Sequence, residues 1–156
     1  MTNLQRFKNR KALITGAAGG IGSALVKGLK KEGALVAITD LNTSNVDADA
    51  NFDGDLQNSQ FCDELPLLAK DKLNGLDILC NVAGVITRGN INEVTDEEYN
   101  LTMKVNVEAP FRLCRASIPI MKKGSIIVNV SSFISPNNFI RFSKLNSINE
   151  CKYEYE

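Results

Sequence analysis

An apolar run, Ala12-Leu13-Ile14-Thr15, leads straight into Gly16-Ala17-Ala18-Gly19-Gly20-Ile21-Gly22, and a helical pattern begins at Ile21. Strand, glycine turn and helix in that order make a cradle for a pyrophosphate. Gly16 permits the sharp turn, Gly20 leaves room for a phosphate to approach the backbone, and Gly22 lets the helix pack closely on the strand. Free N–H groups in the first helical turn, at the positive end of the helix dipole, face the anion. Asp40 ends the second apolar run, which begins at Leu35. In this arrangement a carboxylate there accepts hydrogen bonds from the ribose hydroxyls of an adenosine and repels a 2′-phosphate. No Arg or Lys lies in the glycine turn or just after Asp40, so NAD is favoured and NADP disfavoured. The competing structural reading is a tight strand-to-helix turn and a strand-end acid that bind nothing.

Three further segments follow in order. Asn81-Val82-Ala83-Gly84 closes an apolar run, and Lys104-Val105-Asn106-Val107-Glu108-Ala109-Pro110-Phe111 lies in a helical stretch. Gly124-Ser125-Ile126-Ile127-Val128-Asn129-Val130-Ser131-Ser132 is a nearly all-apolar strand ending in two serines. With the Gly-x-x-x-Gly-x-Gly spacing of the first turn, these segments resemble the short-chain dehydrogenase/reductase family from about Lys11 to Ser132. The resemblance implies an NAD-dependent oxidoreductase that moves hydride between nicotinamide and a secondary alcohol or carbonyl. It implies that Asn81 steadies the central strands, although Val82 replaces the family's second Asn, and that Ala83 and Gly84 admit the cofactor to the backbone. Asp55 would meet the adenine amino group, supported by Leu56. Asn106 would help hold a water in a proton relay, and Ser132 would hydrogen-bond the substrate oxygen. As ordinary residues, these positions would be a strand-to-loop turn, a solvated loop acid, a helical Asn and a strand-end serine.

The family also needs a Tyr-x-x-x-Lys pair downstream of that serine. The Lys lowers the Tyr pKa toward working pH, so the phenol can exchange a proton with the substrate. Here Leu145 and Asn149 lie where the pair is expected, and neither Tyr153 nor Tyr155 has a Lys four positions on. The expectation is therefore an incomplete dinucleotide-binding domain over 1–135 and an atypical tail over 136–156, with resemblance ending near Ser135. Such a chain would have little or no turnover. The alternatives are a non-catalytic nucleotide-binding module, sensing the dinucleotide or pairing with another chain, and a non-functional fragment.

The elements that must place these residues follow from periodicity. Strands are expected at Lys11–Thr15, Leu35–Thr39, Ala48–Phe52, Leu76–Cys80 and Ser125–Val130, alternating with helical patterns. The first helix carries the stripe Ile21, Leu25, Val26, Leu29 and stops at Gly33. Too few residues separate Asp40 from Asp55 for a full crossover helix. Pro66 interrupts the helical pattern from Phe61 to Leu73. Thr95-Asp96-Glu97-Glu98 is a capping box opening a helix toward Lys104, and a second helical run covers about Val107 to Met121. Strands apolar on both faces, alternating with helices, predict an α/β fold: a Rossmann-type, doubly wound parallel sheet of about five strands. Its order would be 3-2-1-4-5, with the fifth strand an edge and the sheet incomplete on the C-terminal side.

Composition removes several classes. With 18 basic and 18 acidic residues no net field favours nucleic acid or an anionic membrane. The absence of His excludes Ser-His-Asp and Cys-His mechanisms. Cys62, Cys80, Cys114 and Cys151 show no paired spacing, so a zinc site is not expected. Asp49-x-Asn51-x-Asp53-Gly54-Asp55-Leu56 matches the start of an EF-hand loop, but its twelfth position is Gln60, so no metal is expected there either. No apolar leader or span is visible, which predicts a cytoplasmic protein. The family resemblance adds homo-oligomerisation through helices near and beyond 106–121.

Overall fold

The computed structural model describes residues 5–87 and 89–132. The expectations placed on Leu145, Asn149, Tyr153, Tyr155 and the tail, and the boundary at Ser135, lie outside the described residues.

Strands β1 (Lys11–Thr15), β2 (Leu35–Asp40), β3 (Ala50–Asp53), β4 (Ile78–Asn81) and β5 (Ile126–Asn129) form one sheet in the order β3-β2-β1-β4-β5. Every pairing is parallel, with Ala12 opposite Val36 and Ile78, and Cys80 opposite Val128. This is the doubly wound architecture that the alternating pattern predicts. All strand C-termini therefore emerge along one edge.

Two-residue alternation splits the core into two layers. Ala12, Ile14, Val36, Ile38, Ile78 and Cys80 face helix α1 (Gly20–Lys31), whose Val26 and Leu29 complete that layer. Leu13, Ala37 and Leu79 face the other way, onto helix α2 (Ser59–Leu73) and helix α4 (Ala109–Ser117). The β2–β3 crossover contains no helix, as the short spacing requires.

Pro66 does not break α2, contrary to the sequence expectation. The ring removes the N–H that Cys62 would otherwise receive, a loss of about 3 kcal/mol. Cys62, Leu65, Pro66, Ala69 and Leu73 are all buried, and one fully buried leucine is worth roughly 1.5–3 kcal/mol. Burial therefore outweighs the missing bond. Ionic contacts tie the same helix to α4: Asp63 receives Arg112 at 2.7 Å and Arg115 at 2.9 Å, and Arg112 also reaches Glu108, one turn back, at 2.7 Å. These hydrogen bonds from arginine hold the carboxyl groups of Asp63 and Glu108 below the usual range.

The helical region after the capping box is one continuous rod rather than two runs. Helix α3 (Asp96–Met103) begins with both bonds of the box, Glu98 N–H to Thr95 Oγ1 at 3.2 Å and Thr95 N–H to Glu98 Oε2 at 3.0 Å. A single π turn over Lys104–Glu108 then joins it to α4. Pro110 accounts for the π turn: an α-helical Asn106 carbonyl would take its bond from residue 110, and Pro110 has no N–H. Instead the Ala109 N–H bonds the Lys104 carbonyl, five residues back.

Candidate functional site

Gly16 leaves β1 with φ +66°, a backbone state that favours glycine. A side chain there would also lie 2.6 Å from Ala83 Cα, so the turn packs directly on the loop after β4. At Gly22 a Cβ would fall on the Gly16 carbonyl oxygen and 2.8 Å from Ala17 Cα. The tight approach is thus to the turn itself rather than to the body of the strand. Gly20 differs: a Cβ there would meet nothing within 4 Å and would project into open space. Ile21 beside it is 65% exposed, unusual for an isoleucine at the start of a core helix. Amides in the first turn of α1 have no carbonyl one turn back within the helix, so Gly20, Ile21 and Gly22 present donors to this space.

Thr15, absent from the sequence-derived site, organises the neighbouring loop. It is 1% exposed, and its Oγ1 accepts from Val82 N–H at 3.0 Å and Ala83 N–H at 3.1 Å. The only sequence signal was its place as the last residue before the glycine turn. Asn81 ends β4 and donates from Nδ2 to Asn129 Oδ1 on β5 at 2.8 Å, spanning the two strands. Gly84 is exposed and lies beside Asn106. The Asn106 side chain accepts from Val85 N–H at 2.9 Å and donates to the Val85 carbonyl at 2.8 Å. This closed pair fixes the loop against the π turn. Ser132 is exposed and follows the end of β5, on the same sheet edge as the other residues.

Asp40 completes the edge from the other side. Its Oδ2 accepts from Ala18 N–H at 2.9 Å and its Oδ1 from Leu41 N–H at 2.8 Å. Asp55 is further out, in the loop after β3, where it accepts from the backbone and side chain of Gln57 at 2.8 and 3.0 Å. Leu56 is half-buried and packs on the α2 layer. The structure therefore gathers Gly16, Gly20, Ile21, Gly22, Asp40, Asn81, Ala83, Gly84, Asn106 and Ser132 at the C-terminal ends of β1, β2, β4 and β5, while Asp55 and Leu56 flank the edge beyond β3.

The EF-hand-like acids are employed otherwise. Asp53 Oδ1 accepts from the Thr43 amide at 2.8 Å and its hydroxyl at 2.6 Å, and Asp49 Oδ2 accepts from Val36 N–H at 2.8 Å. Gly54 leaves room for the Phe61 ring. These contacts staple the short β2–β3 crossover, and no metal-binding cluster exists among the described residues. Burial pushes the Cys62 and Cys80 thiols up to about 11, so neither supplies a thiolate at neutral pH. Both are expected to resist alkylation at pH 8 in the folded chain and to react once it is unfolded, as read by intact-mass spectrometry. No helix among the described residues is long and apolar enough to cross a membrane.

Comparison with known proteins agrees with this geometry. A family profile described as short chain dehydrogenase matches residues 10–144, past the Ser135 boundary expected from sequence. An uncharacterized oxidoreductase of Thermotoga maritima is 35% identical over 139 residues, which cover 81% of this chain and 55% of that protein. The 2,3-dihydro-2,3-dihydroxybenzoate dehydrogenase of Bacillus subtilis is 33% identical, over 80% of this chain and 53% of its own length. Among solved structures, a short chain dehydrogenase of Burkholderia cenocepacia in complex with NADP superposes with a TM-score of 0.77 at 28% identity, covering 81% of this chain and 57% of that one. The chain spans about half the length of the curated relatives it matches.

Proposed function

The chain belongs to the short-chain dehydrogenase family, and from that premise we propose that it binds a nicotinamide dinucleotide along the C-terminal edge of its sheet, with NAD preferred over NADP. The observation that carries the reading is the convergence of the open space at Gly20, the α1 amides, the Asp40 carboxylate and the Ala83–Gly84 loop on that edge. The residues fit the group: a cradle without side chains beside unpaired donors suits a pyrophosphate, and a strand-end carboxylate suits ribose hydroxyls. When bound, the dinucleotide supplies the hydride donor or acceptor for interconverting a secondary alcohol and a carbonyl. Asn106, locked to Val85, keeps the π turn beside the loop, and the Ser132 hydroxyl donates to a substrate oxygen as charge develops on it. No Tyr with a Lys four positions on follows Ser132, so the expected turnover of this chain alone is little or none.

The preference for NAD rests on charge. A 2′-phosphate would sit against the Asp40 carboxylate with no Arg or Lys in 41–49 to offset it. The structural relative from Burkholderia cenocepacia is in complex with NADP, so the proposed preference for NAD rests on the side chains at this edge alone. Thermal unfolding with each nucleotide tests the reading. At about 100 times its dissociation constant NAD⁺ adds roughly 2.7 kcal/mol, which raises Tm by about 5–10 °C. An equal or larger rise with NADP⁺ would overturn the preference, and no rise with either would overturn the binding.

One observation favours a second reading, a binding module that pairs with another chain. Among the described residues β5 has a neighbour on one side only, and Ile126, Val128 and Val130 are 52%, 42% and 43% exposed. An open apolar ladder of this kind is a template for strand addition. Sedimentation of the purified chain at micromolar concentration decides it: a monomer removes the support for this reading.

A further inference from the structure

The four residues between β1 and α1 are held unequally. Ala17 is fully buried and its N–H bonds the Thr39 carbonyl at 3.3 Å, while the Gly19 N–H turns back to the Gly16 carbonyl at 3.2 Å. Ala18 is exposed, so packing contributes little to fixing it. What holds it is the 2.9 Å bond from its N–H to Asp40 Oδ2, made across 22 positions of sequence. The carboxylate is itself oriented, because its other oxygen takes the Leu41 amide at 2.8 Å and the Asp40 carbonyl takes the Gly54 N–H at 2.9 Å. A bond to a charged acceptor is the stronger kind.

We propose that Asp40 is a positioning residue for the glycine turn: its carboxylate clamps the Ala18 amide and presets the phosphate cradle, so it governs affinity for the nucleotide's phosphates as well as the choice of ribose. The proposal rests on the dinucleotide reading for its consequence but not for its geometry. Each carboxylate oxygen has two lone pairs, and one N–H on each leaves capacity for ribose hydroxyls. Clamping and ribose recognition are thus compatible in one side chain. A turn held before binding also spares the ordering entropy that a loose loop would lose when the phosphate arrives.

Amide hydrogen exchange on the nucleotide-free chain tests the clamp directly. In Asp40→Ala the Ala18 amide is expected to exchange about tenfold faster, the effect of losing roughly one charge-assisted bond. Asp40→Asn keeps one acceptor oxygen and should fall between the two, while the Ile38 amide in the middle of β2 stays at the wild-type rate. General destabilisation would accelerate Ile38 as well and would not be rescued by Asn. The second arm uses nicotinamide mononucleotide, which carries a phosphate but no adenosine ribose. Its affinity should drop about tenfold in Asp40→Ala. Unchanged Ala18 exchange, or acceleration shared equally by Ile38, overturns the clamp, and unchanged mononucleotide affinity overturns its role in phosphate binding. A wild-type chain that binds neither the mononucleotide nor NAD⁺, yet shows the exchange pattern, would sink the dinucleotide reading and leave the clamp standing.

Discussion

Gly22→Ala is expected to destabilise the chain by about 3 kcal/mol and to abolish any nucleotide-dependent rise in Tm. The added Cβ would fall on the Gly16 carbonyl oxygen and crowd Ala17 Cα at 2.8 Å, and both obstacles are backbone. Overpacking a tight site typically costs 1–3 kcal/mol, and the upper end applies where no side chain is free to move aside. Relief would require the start of α1 to lift from the turn, which also moves the first-turn amides away from the cradle. Gly20→Ala is the informative contrast. Its Cβ meets nothing within 4 Å, and alanine is the better helix former, so stability should hold or rise by up to about 1 kcal/mol. Binding should nevertheless fall, because that Cβ occupies the space assigned to the phosphate. Thermal unfolding of both variants, with and without NAD⁺, checks the pair. A stable Gly22→Ala that still responds to NAD⁺ would refute the proposed geometry of the turn.

Thr15→Val carries the second large effect, an expected loss of about 2–4 kcal/mol with almost no change in volume. The hydroxyl oxygen is a shared acceptor for two backbone amides, those of Val82 and Ala83. Valine fills the same space and offers nothing to either N–H. Each buried donor left without a partner costs roughly 1–3 kcal/mol, and two are stranded together. Because Ala83 also packs against Gly16, loosening this loop disturbs the glycine turn and should shrink the NAD⁺-dependent shift. Thr15→Ser retains the acceptor and should recover most of the loss. Denaturant unfolding of the three chains measures it, and a Thr15→Val chain as stable as wild type would show that water or a rearranged loop satisfies both amides.

These two positions also show where sequence reasoning stops. Gly22 stood out because glycine spacing after a strand is a local pattern with a local cause. Thr15 did not, although it occupies the last position of the same strand. Its importance lies in the amides of residues 82 and 83, which reach it only because β1 and β4 are neighbours in the sheet. The place of Asp40 at the end of β2 is enough to suggest a ribose acceptor, yet its bond to Ala18 depends on the β1–β2 register. Pro66 and the run from Val107 misled in the same way: local propensity argued for interruptions, and burial against the sheet in one case and a π turn in the other kept the helices whole.

The chain's own sequence determined the order of its elements, the parallel sheet, the glycine turn and the capping box at Thr95. The glycine turn and the capping box rest on residues within one or two turns of one another, where backbone freedom and side-chain hydrogen bonds act directly. The parallel sheet follows from the alternation of apolar strands with helices. Tertiary structure alone decided what the acids at 49 and 53 bind, which hydroxyl supports the Val82–Ala83 loop, how Asn106 locks to Val85, and that Asp40 grips the glycine turn. Those contacts join groups 10 to 68 positions apart along the chain, from the Thr43–Asp53 bond to the Thr15–Ala83 bond. Strand register brings them within hydrogen-bond reach, and hydrophobic periodicity fixes which face a residue shows without fixing which partner it meets.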